Sequence, residues 1–160
     1  MYFFTYCELM SKSRLLKLGF NKEDIKYVAY TFLPDHRFNY REIINSKKRY
    51  GVPNIEVSES SYTYGILYHI NDDMFYKIIH NKCKPSKYDG KYKYLIKNVL
   101  VEDCNNFNKS WKASTIFIHP LRSGDEKYPD PKAHKYLLKT VNKIPSHAIE
   151  HCNCIEHSIH

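Results

Sequence analysis

Alternating hydrophobic and polar positions predict a chain that consists mainly of β-strands. The clearest alternation covers residues 61–70, where Tyr62, Tyr64, Ile66 and Tyr68 are separated by smaller or polar residues, as on a strand with one buried face. Shorter apolar runs predict further strands at residues 2–6, 27–33, 52–58, 91–101 and 114–118. We therefore expect a fold that is built around a β-sheet.

Three segments carry the spacing of short helices. Residues 11–20 form the first, and Gly19 closes it. The second covers residues 72–82, because the Asn71 side chain can accept a backbone hydrogen bond and the aspartates after it favour the positive end of the helix. The third covers residues 132–143. Helices inserted among runs of strands favour the α+β class over a regular β-α-β array.

The chain has the length of one ordinary domain, 160 residues. We predict that residues 1–145 form this domain and that residues 146–160 form a C-terminal helix or a frayed tail. The polar and basic stretch 34–48 predicts a loop. A hydrophobic fraction of 42% is high enough for a packed core and excludes a disordered chain.

The composition also bears on where the protein works. Its net charge is +8 at pH 7, but frequent Lys, Asn, Ile and Tyr are typical of an AT-rich genome, for which a large DNA virus is one candidate source. No apolar run approaches the ~18 residues of a membrane span, so we expect no membrane partner, and no motif indicates a cofactor. Five cysteines, an odd number without disulfide spacing, predict thiols in the cytoplasm: Cys7, Cys83, Cys104, Cys152 and Cys154.

Four stretches, taken in order, resemble the gamma-glutamylcyclotransferase-like superfamily. Residues 3–10 (FFTYCELM) stand where the family has Tyr-Phe-Ala-Tyr-Gly-Ser-Asn-Leu, and residues 50–55 (YGVPNI) resemble its Gly-Gly-Val-Ala-Thr/Asn-Ile strand. Residues 64–70 (YGILYHI) match Trp-Gly-Val-Leu-Tyr-x-Leu best. The last stretch, 131–136 with 144–145, resembles the Pro-Ser-x-x-Tyr helix and its Leu-Pro restart. The resemblance implies a small mixed β-barrel with surrounding helices and a pocket at one mouth.

The resemblance also implies a chemistry. In active members the loop after the first strand holds a gamma-glutamyl group through backbone amides. A Glu at the end of the helix after the Gly-Val-Leu-Tyr strand acts as general acid and base, while the substrate's own amine attacks the gamma-carbonyl and releases 5-oxoproline. Carried onto this sequence, the resemblance places a substrate pocket at Tyr6, Cys7, Glu8, Leu9, Met10 and Lys82.

The sequence departs from the family at both places that carry the chemistry. Cys7, Glu8 and Leu9 replace the Gly, Ser and Asn of the loop, and the family Glu falls on Lys82 or Asn81. A lysine is protonated at neutral pH unless it is strongly desolvated. We therefore expect an inactive protein that binds a ligand or a partner protein, and a pocket with Lys82 would favour a small anionic ligand. The alternative is an active cyclotransferase in which Glu8 supplies the missing carboxylate.

The C-terminal tail contains a candidate metal site. On a helix, His147, His151 and Cys154 would lie at positions i, i+4 and i+7 of one face, and imidazole and thiolate are zinc ligands. An amphipathic or frayed helix without a metal explains the same pattern.

A basic segment offers a third function, the binding of nucleic acid. Lysines would pair with phosphates and tyrosines would stack on bases. The ordinary alternative is an amphipathic strand whose lysines face water and whose tyrosines lie in the core. We prefer it because the residues alternate and because lysine also protects exposed strands from edge pairing. The residues concerned are Lys84, Lys87, Lys91, Lys93 and Lys97, interleaved with Tyr88, Tyr92 and Tyr94.

Overall fold

Six strands in the described part of the chain form one mixed sheet, and five of them close into a barrel. The computed structural model describes residues 1–44, 49–80, 83–85, 90 and 92–141. The strands are β1 (Tyr2–Thr5), β2 (Ile25–Ile43), β3 (Val52–Ile70), β4 (Tyr94–Asp103), β5 (Ser110–Ile118) and β6 (Ser123–Glu126). Their order is β3-β1-β5-β4-β2-β6, and the pairing of β2 with β3 closes the ring. The expected small mixed barrel of the α+β class is confirmed.

Among the strand pairs of the described residues, only one is parallel. Phe3 of β1 lies beside Ser114 of β5 in that pair, whereas the β1–β3, β2–β3, β2–β4, β2–β6 and β4–β5 pairs are antiparallel. The N-terminal strand is therefore an interior strand of the barrel wall, with neighbours that come much later in the chain.

The strand β2 is longer than the sequence pattern predicts. It has 19 residues and continues through the region where we expected a loop, so the loop prediction is wrong for residues 34–43. The register shifts between Pro34 and His36, and Asp35 adopts a left-handed conformation with φ of 54°. Proline has no backbone N–H to donate to the hydrogen-bond ladder. A bulge of this kind accommodates it and allows the strand to continue.

The strand β3 joins two segments that we predicted as separate strands. It also has 19 residues, and the predicted break falls at Ser60, where φ is 60°. The Ser60 amide donates to Asp35 Oδ1 over 3.2 Å. The irregularities of β2 and β3 thus face each other, and the two long strands bend together without separating.

Three short α-helices lie among the strands of the described chain: α1 (Lys12–Lys17), α2 (Asp72–Phe75) and α3 (Pro131–Val141). Asn71 begins α2 as expected, because its Oδ1 accepts the Met74 amide over 3.2 Å. After one turn α2 continues as a π-helical turn, Tyr76–His80. None of the helices seen is long and apolar enough to cross a lipid bilayer.

Helix α2 covers the outer face of β1 through two aromatic rings. Phe3 and Phe75 are fully buried, and their rings meet edge to face with centroids 5.3 Å apart, an arrangement that aromatic pairs favour. Phe4, the next residue of β1, points to the other side and is also fully buried. The strand is therefore packed on both faces, which explains why its sequence is apolar without alternation.

One carboxylate links the second half of β2 to the first half of β3, and one of its arginine partners also contacts β6. Glu56 of β3 accepts hydrogen bonds from Arg37 Nε over 2.6 Å and from Arg41 Nη2 over 2.8 Å. Arg41 also donates to the Gly124 carbonyl of β6 over 3.4 Å. Burial alone would raise the pKa of Glu56, but the nearby Asn39 amide and the two guanidiniums outweigh it, so the pKa is lowered.

We expect the stability of the protein to decrease in acid through Glu56. The folded pKa lies below the ordinary value of 4.5. The ion pairs therefore stabilise the fold above that value, and this stability is lost as the pH falls through the lowered pKa. Glu56→Gln should reduce the free energy of unfolding by about 1–2 kcal/mol near pH 7 and by less near pH 3. Urea denaturation at both pH values measures this.

The control for that measurement is Glu42→Gln. Among the described residues the ion-pair partner of Glu42 is Lys127 Nζ, at 2.7 Å, and about a third of each side chain is exposed, so we expect a loss below about 1 kcal/mol. A loss in Glu56→Gln that is equal at both pH values, or no larger than in the control, would contradict the prediction.

Candidate functional site

A cavity of about 150 Å³ lies beside the turn that follows β1. The turn is a 3-10 helix, Cys7–Met10, and it supplies one wall with Tyr6, Cys7, Glu8 and Leu9. The remaining walls come from the end of α1 and from three strands, and their residues are Leu18, Val52, Pro53, Tyr94 and Ile116.

The topology brings these walls together at one end of the barrel. β1 runs antiparallel to β3 and parallel to β5, and β5 runs antiparallel to β4. The end of β1 therefore points toward the same barrel mouth as the starts of β3 and β4 and the end of β5. A cavity therefore lies beside the turn where the resemblance places the substrate pocket. A substrate-binding role of this cavity stays a prediction.

Two tyrosine hydroxyls fix the turn. Tyr6 Oη donates to the Ile116 carbonyl over 2.6 Å, and Tyr68 Oη donates to the Met10 carbonyl over 2.7 Å. Met10, which we expected in the pocket, is buried and packs in the core. Burial raises the pKa of Tyr6 and raises that of Tyr68 to about 12. Both phenols stay neutral and serve as anchors of the turn.

Cys7 occupies a strained backbone position inside the turn. Its φ is 54°, the left-handed region that a glycine enters without a steric penalty. The thiol is buried, and its Sγ lies 3.5 Å from Tyr40 Oη. Burial raises the pKa of Cys7 to about 12, although Tyr40 and the Glu8 amide act in the opposite direction. The thiolate is scarce at neutral pH, so Cys7 is a poor nucleophile.

Glu8 is the one charged side chain that lines the cavity in the described part of the chain. Its Oε2 accepts a hydrogen bond from Arg14 Nη2 over 2.5 Å, and about a third of each side chain is exposed. The residue proposed as a substitute for the missing catalytic carboxylate therefore reaches the cavity, but one of its oxygens is already engaged. The sequence analysis did not anticipate Arg14, which lies on α1.

Tyr94 contributes a hydroxyl that no other described group engages by a hydrogen bond. The ring is partly buried in the cavity wall. Burial raises its pKa, with smaller contributions from Cys83 and Glu8. The nucleic-acid alternative uses Tyr94 for base stacking, whereas the preferred amphipathic strand places it inward. The binding of nucleic acid stays untested. Alternation along β4 gave no signal that distinguished Tyr94 from the exposed Tyr92.

Several predicted site residues lie outside the described residues. These are Asn81 and Lys82 at the family's Glu position, the candidate metal ligands His147, His151 and Cys154, and the lysines Lys87 and Lys91. Their predictions stay predictions, as does the division at residue 145. Within the described ranges no group of three or more His, Cys, Asp or Glu side chains could hold a metal ion.

The structure is similar to solved structures of one fold. A structure described as gamma-glutamyl cyclotransferase has a TM-score of 0.71 at 13% identity, covering 99% of this chain and 83% of that one. The chain has a gamma-glutamylcyclotransferase-like fold. The crystal structure of an uncharacterized protein from Homo sapiens is also similar. It has a TM-score of 0.70 at 13% identity, and the match covers 98% of this chain and 83% of that protein.

A third structure, YkqA from Bacillus subtilis, has a TM-score of 0.71 at 16% identity and covers 99% of this chain and 54% of YkqA. No protein-family profile matches the sequence. No curated protein matches it either. The gamma-glutamylcyclotransferase-like resemblance drawn from the four sequence stretches is thus confirmed at the level of the fold.

Proposed function

We propose that this protein is a ligand-binding member of the gamma-glutamylcyclotransferase-like fold that does not release 5-oxoproline. The observation that carries the proposal is the pairing of Glu8 with Arg14 over 2.5 Å. Cyclotransfer requires a carboxylate that accepts and returns a proton beside the substrate. Among the described lining residues only Glu8 has a carboxylate, and an arginine engages it.

The dimensions and walls of the cavity support the same proposal. A volume of about 150 Å³ is below the ~300–1,000 Å³ of ordinary small-molecule pockets. Cys7 adds a side chain in the turn where the family has glycine, at a φ of 54°. A cavity of this size accommodates one end of a small molecule rather than a whole gamma-glutamyl peptide.

The sequence at the family's Glu position also supports it. Either Lys82 or Asn81 stands there, and neither side chain is a carboxylate. Loss of a general acid and base lowers a rate by ~10²–10⁴-fold.

We also propose a cytoplasmic location, since the buried Cys7, Cys83 and Cys104 form no disulfide and such thiols suit a reducing compartment.

We expect no 5-oxoproline above background when the purified protein is incubated with gamma-glutamyl dipeptides or with glutathione. Mass spectrometry of the product over time measures this. Glu8→Gln and Glu42→Gln form a matched pair, since each side chain is about a third exposed and forms an ion pair with one basic residue of the described chain. Turnover that disappears in Glu8→Gln and persists in Glu42→Gln would overturn the proposal.

That outcome would establish the second candidate, an active cyclotransferase that uses Glu8. One observation favours it: Glu8 lines the cavity, and its Oε1 has no hydrogen-bond partner in the described part of the chain. In that mechanism Arg14 would hold one carboxylate oxygen while the other shuttles the proton.

A further inference from the structure

The polar groups of the cavity present acceptors and no unpaired cation among the described residues. Tyr6 Oη is engaged with the Ile116 carbonyl and the Cys7 thiol with Tyr40. Glu8 Oε1 and Tyr94 Oη are not engaged by described groups. A carboxylate oxygen can only accept a hydrogen bond when it is ionised, and a phenol oxygen can accept as well as donate. These two vacant acceptors therefore suit a ligand that donates hydrogen bonds.

The charges of the cavity favour the same kind of ligand. Glu8 and Arg14 form a neutral pair, and Glu8 rather than Arg14 lines the cavity. A ligand at this wall meets the negative end of the pair first. Glu8 and Tyr94 both line the cavity. A cation in the cavity is attracted by the Glu8 charge and has the Tyr94 oxygen in the same cavity walls, whereas an anion is repelled by the Glu8 charge.

The other walls of the cavity are apolar. Leu9, Leu18, Val52, Pro53 and Ile116 contribute hydrocarbon around the two oxygens. A ligand that fits has a compact donor group at one end and a short aliphatic chain at the other. An ammonium group has three donors and no acceptor. Two of its N–H groups match the two vacant acceptors, and the third is left for water.

We propose that the cavity binds the ammonium end of a small alkylamine between Glu8 and Tyr94, with the alkyl chain against the apolar walls. This inference rests on the ligand-binding function proposed above and specifies the class of ligand. It differs from the anionic ligand that the sequence predicts, because that prediction depends on Lys82, which is outside the described residues.

The test is a titration monitored by amide NMR with three probes of equal length: n-butylammonium chloride, sodium butyrate and 1-butanol. Near pH 7 we expect n-butylammonium to bind with a dissociation constant on the order of 1 mM. Butanol should bind more weakly and butyrate most weakly, because butyrate places a second negative charge beside Glu8.

Two variants with matched controls locate the binding. Glu8→Gln should weaken n-butylammonium binding by about 10-fold or more, as expected for a charge-assisted hydrogen bond, and Tyr94→Phe by about 3-fold. Glu42→Gln removes a carboxylate of equal exposure that does not line the cavity, and Tyr92→Phe removes an exposed hydroxyl. Neither control should change binding, and the dispersion of the NMR spectrum shows that each variant is folded.

The outcomes separate this inference from the function it rests on. Tighter binding of butyrate than of n-butylammonium, or an unchanged affinity in Glu8→Gln, would overturn the amine assignment and leave a ligand-binding cavity. The absence of spectral change with all three probes would overturn the amine assignment and the binding function together. Release of 5-oxoproline would overturn the proposed inactivity without affecting the amine titration.

Discussion

Gly65→Ala is expected to destabilise the fold by about 3 kcal/mol. A Cβ atom at this position would lie 2.4 Å from Phe4 Cε2 and 2.4 Å from the Thr5 carbonyl oxygen. The Thr5 oxygen belongs to the backbone of β1, which pairs with β3 at Ile66. It cannot move away without separating the two strands, and the Phe4 ring is fully buried. Glycine at this position allows the strands and the ring to approach.

Urea denaturation of Gly65→Ala and Gly124→Ala measures the effect and its control. A Cβ at Gly124 would lie 3.3 Å from Glu42 Cβ, with flexible side-chain atoms as its other neighbours. We therefore expect Gly124→Ala to change the free energy of unfolding by less than about 1 kcal/mol. Similar stabilities of the two variants would show that β1 and β3 are farther apart at Gly65 than described.

Phe75→Ala is expected to reduce the free energy of unfolding by about 3–5 kcal/mol. Phe75 is 1% exposed, and its ring meets the Phe3 ring 5.3 Å away. Truncation removes that contact and leaves a cavity between α2 and β1, since neither element can close onto the other without breaking its own hydrogen bonds.

The neighbouring residue provides the control for Phe75→Ala. Tyr76 is 60% exposed, so Tyr76→Ala removes an aromatic ring from the same helix end without opening the core. We expect a loss below about 1 kcal/mol in urea denaturation. Equal losses in the two variants would mean that α2 does not hold the outer face of β1.

The pattern of hydrophobic and polar residues predicted elements of the barrel correctly where the signal lies within the element itself. Alternation at residues 61–70 predicted the second half of β3, and Asn71 predicted the start of α2. The loop prediction, wrong for residues 34–43, gave too much weight to the polar and basic residues of the stretch. In β2, Phe38 and Tyr40 are buried between polar neighbours, a period of two that continues beyond the proline. A bulge stabilised by contacts with a distant strand has no local signal.

The candidate site was predictable only where its residues adjoin in sequence. The turn residues Tyr6, Cys7 and Glu8 were found through the resemblance, because the loop is one continuous motif. Arg14 and Tyr94 were missed as partners of that loop, since α1 and β4 bring them to the cavity through the three-dimensional fold. Side-chain pairing across separate elements depends on packing and register, which a single sequence does not specify.

The single parallel pair has a consequence for how the chain folds as it is synthesised. β1 is made first, yet it lies between β3 and β5, and the Tyr6 and Ile116 that meet across this wall are 110 positions apart. Contacts of such separation form slowly because a long loop must close before they contribute. The apolar β1 is therefore synthesised well before β5. During that interval the edge of β1 that later pairs with β5 has no partner strand and is open to a chaperone or to another nascent chain.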